Sequence, residues 1–175
     1  MPASHWSAKA VEYLNKADII KGYDDGTFIP DAEVTREEFT AMLVRAFLGV
    51  TENTKTDFAD VSESDWFASS VASAAEAGIV NGTGNAFGTG ETISRQDMCA
   101  MLERTAKACG ISLSGKYGTI LFADEAEIAD YAKESVRLMQ TAGVVNGVGN
   151  EMFNPTGKVT RAMAAKVIYE LLMLK

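Results

Sequence analysis

The sequence predicts a mainly α fold built from three helix-loop-helix repeats. Three observations carry this. First, three blocks of the chain align on one arginine each: "HWSAKAVEYLNKADIIKGYDDGTFIPDAEVTREEFTAMLVRAF", "DWFASSVASAAEAGIVNGTGNAFGTGETISRQDMCAMLERTAK" and "DYAKESVRLMQTAGVVNGVGNEMFNPTGKVTRAMAAKVIYELL". Arg36, Arg95 and Arg161 are 59 and 66 residues apart, and a phenylalanine (Phe28, Phe87, Phe153) precedes each by eight residues. Second, each block has two stretches with apolar residues three or four apart, the helical period. Third, a glycine-rich loop separates those stretches. A repeat of this length is one supersecondary unit whose neighbours complete its core. The repeats are placed at 1–50, 57–110 and 121–175, together forming one compact domain.

The first helix of each block follows an aromatic residue, Trp6, Trp66 or Tyr131. Its apolar positions are Val11 and Leu14, Val71 with Ala74 and Ala75, and Val136 with Met139. Gly78 and Gly143 suit the left-handed residue after a helix end, with Asp18 in that place in the first block. The small face of Ala68, Val71, Ala72 and Ala75 predicts close approach, so the first helices are expected to meet at the centre. A short apolar run and a glycine (Gly22, Gly82, Gly147) lead into the loop. The second helix is expected to begin after Thr35, Ser94 or Thr160. Thr35 with Glu38 and Ser94 with Asp97 read as capping pairs. Phe39, Met42, Leu43, Ala46 and Phe47, then Met98, Met101, Leu102 and Thr105, then Val167, Ile168, Leu171 and Leu172 form the second-helix stripes and read as core. Two connectors carry "FAD", Phe58-Ala59-Asp60 and Phe122-Ala123-Asp124. The phenylalanine is expected to anchor the incoming chain, the aspartate to cap or brace the next turn.

Composition excludes several functions. The chain of 175 residues carries a formal net charge of -8, which argues against a nucleic-acid partner, since such domains need a basic face. It has no apolar run of 18 residues, so no membrane insertion is expected, and no basic start followed by an apolar core. That fits a cytoplasmic protein or a piece of an exported one. Cys99 and Cys109 fall on one expected helix about 15 Å apart, too far for a disulfide. They read as unbonded, buried small residues. With the one histidine, His5, they cannot supply a four-ligand zinc site of the His/Cys type. "YDDGTFIPDAEV" fails as a calcium loop: with Gly26 sixth, Lys21 stands first and Ala32 twelfth, where acids are needed. No nucleophile motif of the G-x-S-x-G type is present, and no cofactor or catalytic set is expected.

With its aromatic residue, glycine, phenylalanine and arginine in order and spacing, the chain resembles the surface-layer homology family over nearly its whole length. The match is carried by "FADVSESDWFASSVASAAEAGIVNG" with "ISRQD", and by the first block with Thr35-Arg36-Glu37-Glu38. The resemblance implies a pseudo-threefold spindle with a central helical bundle. It also implies an extracellular module that anchors an exported bacterial protein to the cell wall. The implied ligand is a secondary cell-wall polysaccharide, often pyruvylated on N-acetylmannosamine, bound in grooves between repeats. The motif arginine and the glycine after the apolar pair are among the family's binding residues. The chain departs from the pattern in four places. Thr160-Arg161-Ala162-Met163 lacks the capping acid, and Tyr131 stands where tryptophan is usual. The second loop, "GTGNAFGTGET", is one residue shorter and lacks proline, and the first block has no "FxD" lead-in.

The arginines pose a physical question, because the first turn of a helix is a poor place for a cation. An answer consistent with the resemblance is an anion site. Free amides at the helix start and a guanidinium fork would together hold a carboxylate such as a pyruvate ketal. The competing reading pairs each arginine with a nearby acid such as Glu37, Asp97 or a carboxylate on a neighbouring repeat. Trp6 and Trp66 suit stacking on a sugar or packing against the next repeat, with packing favoured. Gly22, Gly82 and Gly147 serve backbone shape or close approach of a ligand. The candidate ligand-binding residues are therefore Arg36, Arg95, Arg161, Gly22, Gly82, Gly147, Trp6, Trp66, Tyr131, Asp60 and Asp124. The isolated module is expected to be a monomer. A helical repeat module that docks another protein is the alternative.

Overall fold

The computed structural model describes residues 4–23, 25–51 and 55–175; residues 52–54 of the first connector lie outside the described residues. Six α-helices are described, two per repeat: α1 (Ala8–Lys16), α2 (Arg36–Leu43), α3 (Ala68–Glu76), α4 (Arg95–Ala108), α5 (Lys133–Thr141) and α6 (Arg161–Leu172). A π-helical turn, Val44–Leu48, continues α2, and a 3-10 turn, Glu125–Glu127, precedes α5.

Each first helix ends the same way. Asp18, Gly78 and Gly143 take positive φ angles of 58°, 71° and 78°. The next amide reaches back to a carbonyl five residues earlier: Ile19 to Leu14, Ile79 to Ala74 and Val144 to Met139, at 2.8–2.9 Å. This is the Schellman stop, in which the residue after the left-handed one also packs on the last turn. It turns the apolar pairs Ile19-Ile20, Ile79-Val80 and Val144-Val145 into the core, where all six are buried. Burying one such side chain contributes about 1.5–3 kcal/mol.

The second helices start at the expected caps. The hydroxyls of Thr35, Ser94 and Thr160 accept the amides of Glu38, Asp97 and Met163. Just before the caps, three single residues close a ring. The Val34 amide donates to the Val159 carbonyl (2.9 Å), Val159 to Ile93 (3.1 Å) and Ile93 back to Val34 (3.0 Å). All three side chains are at most 1% exposed. The ring gives the molecule its pseudo-threefold arrangement.

The helices pack cyclically. α3 lies on α2, α5 on α4, and α1 closes the circle on α6, so every first helix packs on the second helix of the repeat before it. The expectation that the first helices meet at the centre does not hold. The second helices hold that place, with α6 against both α2 and α4. The small face of α3 serves close packing on α2 instead. One continuous core draws residues from all three repeats. Cys99 is fully buried; Cys109, expected to be buried too, is only half-buried at the end of α4, and neither forms a disulfide. Burial pushes the Cys99 thiol up to about 12, so it stays protonated and inert.

Candidate ligand grooves at the repeat junctions

Most of the helix-start amides are already bonded. The amides of Arg36, Arg95 and Arg161 donate to the carbonyls of Glu91, Gly157 and Ala32, each at 2.9 Å. Those of Gln96 and Ala162 donate to Pro155 and Pro30. Closure of the repeat ring therefore consumes groups that the sequence suggested for an anion. The positive helix end remains, but the side chains carry the chemistry.

Each arginine reaches across a junction to the loop of the next repeat. Arg95 donates from Nε to the Phe153 carbonyl and from Nη2 to that of Asn146, both at 2.8 Å. Arg161 does the same with Phe28 (2.9 Å) and Lys21 (2.6 Å). Arg36 donates from Nε to the Phe87 carbonyl (3.0 Å). The guanidinium carbons stand 4.7–5.3 Å from the rings of Phe28, Phe87 and Phe153. Carbonyl oxygens and ring faces thus offset the unfavourable helix end. Arg95 and Arg161 are only 5% and 7% exposed, whereas Arg36 is half-buried. Burial lowers the Arg95 pKa against the opposing pull of Cys99 and Asp124, but an arginine keeps its charge. None of the three is ion-paired with a nearby acid among the described residues.

Gly22, Gly82 and Gly147 let the loops fold back on themselves. A Cβ at these positions would meet the loop's own carbonyls, Thr27 at 2.7 Å, Ala86 at 2.4 Å and Met152 at 2.8 Å. The tight loops turn the carbonyls just before the glycines, Lys21 and Asn146, toward their arginines. Phe58 and Phe122 brace the same loops, with rings 5.8 Å from Phe87 and 5.4 Å from Phe153. The Asp60 carboxylate accepts the amides of Phe87, Gly88 and Thr89 at 2.6–2.9 Å. Asp124 accepts those of Phe153 and Asn154 at 2.6–2.8 Å. Desolvation raises the Asp60 pKa, but the three amides outweigh it and hold the group down at about 2. Asp124 is lowered likewise, with the Arg95 charge adding to its two amides. Both aspartates are thus committed to their loops.

Trp6 and Trp66, for which packing was favoured, are 57% and 62% exposed, and Tyr131 is 56% exposed. The ring contacts of the two tryptophans are local: Trp6 beside His5 and Trp66 edge-on to Phe67.

One junction opens into a cavity of about 330 Å³ to which all three repeats contribute. Arg36 comes from the first repeat. Asn81, Gly82, Thr83, Asp97, Ala100, Met101 and Arg104 come from the second, and Tyr131 from the third. The Tyr131 hydroxyl donates to Asp97 Oδ1 (2.7 Å), and the Ser94 hydroxyl to Oδ2 (2.5 Å). Burial and the Asp97 carboxylate push the Tyr131 phenol up to about 12, against the opposing charges of Arg36 and Arg104. The phenol is therefore a neutral donor. Neither Arg36 nor Arg104 has an ion-pair partner among the described residues. A second cavity of about 520 Å³ lies beside Gly22 between α1 and its loop, without an arginine in its lining. Sequence reasoning missed Arg104 and the Asp97–Tyr131 bond. Arg104 was legible in principle: it stands ten residues after the cap, three past Met101, where a helix presents the same face again.

Fold and junctions together define a cyclic three-repeat module with arginine-keyed seams. The family profile of the S-layer homology domain matches residues 1–40, 57–99 and 121–165. Over 168 residues, 96% of this chain, the sequence is 34% identical to an amylopullulanase of Thermoanaerobacterium thermosulfurigenes. It is 32% identical over 169 residues to the S-layer protein sap of Bacillus anthracis, and 32% identical over 168 residues to an endoglucanase of Bacillus sp. (strain KSM-635). The chain spans 9%, 20% and 18% of the lengths of these relatives. It belongs to the S-layer homology domain family.

Proposed function

We propose that this chain is a non-covalent cell-wall anchor of an exported bacterial surface protein. It binds an anionic, pyruvylated secondary cell-wall polysaccharide in the groove lined by Arg36, Gly82 and Tyr131. The observation that carries this reading is a cavity with two guanidiniums, neither ion-paired among the described residues, on a chain of net charge -8. Here the one acid in the lining, Asp97, is occupied by two hydroxyls.

The relatives support a binding rather than a catalytic role. An amylopullulanase, an endoglucanase and an S-layer protein share this segment, which is at most a fifth of each. A segment common to proteins with such different names carries an address, not a reaction. No described helix is long and apolar enough to cross a membrane. The exposed faces of Trp6, Trp66 and Tyr131 are suited to sugar rings, and the module works as a monomer.

The test is sedimentation of the purified module with cell-wall polysaccharide, before and after removal of its pyruvate. Binding to the intact polymer, lost on depyruvylation and lost in Arg36→Ala, is expected. Equal binding to both polymers overturns the proposal.

A further inference from the structure

Arg36 and Arg104 sit on different repeats and line one cavity with a single carboxylate, Asp97. Asp97 offsets one positive charge, so the lining holds a net charge of about +1 only because Arg104 is there. Without Arg104 the groove would be neutral. We infer that Arg104 is the residue that makes this groove select an acidic sugar over a neutral one; the inference rests on the proposed binding function.

Arg104 is available for the task. Its one hydrogen bond among the described residues is long, from Nη1 to the Ile79 carbonyl at 3.4 Å. Among the described residues Arg36 hydrogen-bonds through Nε alone, which leaves its outer nitrogens for a ligand. Asp97 makes no direct ion pair with either cation among the described residues, and its two oxygens accept from the Tyr131 and Ser94 hydroxyls. Its charge still acts across the cavity, and charges this close and partly buried are weakly screened by salt. A ligand with one carboxylate on a sugar ring matches the remaining charge. The equivalent position in the third repeat is Glu170, which pairs with Lys166. The α6 face therefore lacks the extra cation, whereas the first repeat carries the exposed Arg45 at the corresponding place.

The experiment titrates the full chain with two probes, the methyl glycosides of pyruvylated and of unmodified N-acetylmannosamine. Arg104→Gln should lose at least about tenfold in affinity for the pyruvylated sugar, equal to about 1.4 kcal/mol. Its weaker binding of the neutral sugar should stay within about twofold. Arg104→Lys, which keeps the charge and the stem, should retain most of the preference. Adding Asp97→Asn to Arg104→Gln removes the charge that needs offsetting and should restore the preference for the acidic sugar. A merely structural role for Arg104 would not be rescued in this way. If Arg104→Gln keeps the parent's preference while Arg36→Ala loses it, the role of Arg104 is overturned and the groove stands. If the double variant fails to regain the preference, the charge-balance account is wrong. If the parent itself does not distinguish the two sugars, the proposed function falls along with it.

Discussion

Arg36, Arg95 and Arg161 occupy one sequence position and two physical roles. Arg95 and Arg161 each tie two carbonyls of the neighbouring loop and are almost fully enclosed. Arg36 ties one and faces the open cavity. Replacing Arg95 or Arg161 by Ala should therefore cost stability, about 1.5–3 kcal/mol for bonds to a charged group. Arg36→Ala should cost no more than about 1 kcal/mol of stability but at least about thirtyfold in polymer binding, since a lost charge-assisted contact is worth about 2–5 kcal/mol. Thermal melts beside titration calorimetry separate the two roles; similar melting losses in all three variants would contradict the division. The sequence pointed to all three arginines and could not tell them apart. What divides them is whether a second loop carbonyl lies within reach, and residues far along the chain decide that. Asp60 adds a pH dependence. Its folded pKa, about 2, lies below the unfolded value of about 3.9. The stability it contributes is present above about pH 4 and is lost as pH falls through about 2. Asp60→Ala should cost about 1–3 kcal/mol at neutral pH, because three amides lose their acceptor. Between pH 4 and 2 it should lose less further stability than the parent, as urea titrations across that range would reveal.

At the scale of elements, the loops are the parts under tightest constraint. Gly82 has φ of +63°, and a Cβ there would stand 2.4 Å from the Ala86 carbonyl and 2.5 Å from the Phe58 ring. Gly82→Ala should destabilise the second repeat by about 1–3 kcal/mol through backbone strain. It should also weaken polymer binding, because Asn81, Gly82 and Thr83 shape the cavity. Calorimetric melting and polymer titration of that one variant check both effects. Helix starts and stops were legible in the sequence for local reasons: a cap hydroxyl, a left-handed residue and an apolar residue after it all lie within a few positions. The occupation of the helix-start amides by Glu91, Gly157 and Ala32 was not legible, because no local pattern marks which distant carbonyl will arrive. The same holds for Asp97 and Tyr131, which read as a cap and an aromatic marker and turned out to bond each other.

For the whole molecule, repetition in the sequence announced three equivalent units, and the family resemblance supplied their cyclic closure. Which helices fill the centre was misjudged, because small residues suit close packing on any neighbour and do not name it. Since α1 packs on α6 and the core is continuous, the chain should unfold in one step. Tryptophan fluorescence, which reports Trp6 and Trp66, should follow the same curve as the helical circular dichroism signal. Separate midpoints would contradict a single cooperative unit. A chain cut before residue 121 loses α5 and α6, and should not form the first two repeats stably, since α1 and α4 are both left without their partners.

The three-membered ring of Val34, Ile93 and Val159 also governs timing. Val34 finds its acceptor 125 residues further along the chain, so the circle closes only after nearly all of the sequence is present. Contacts of such sequence separation are entropically costly before they are formed and slow the search for them. A chain emerging amino end first has α1 exposed until α6, the last helix, arrives. The Arg161–Phe28 link and the Val159–Val34 link then form in the same event. The cyclic closure, and with it the seams that Arg161 and Val159 make with the first repeat, therefore waits for the final repeat.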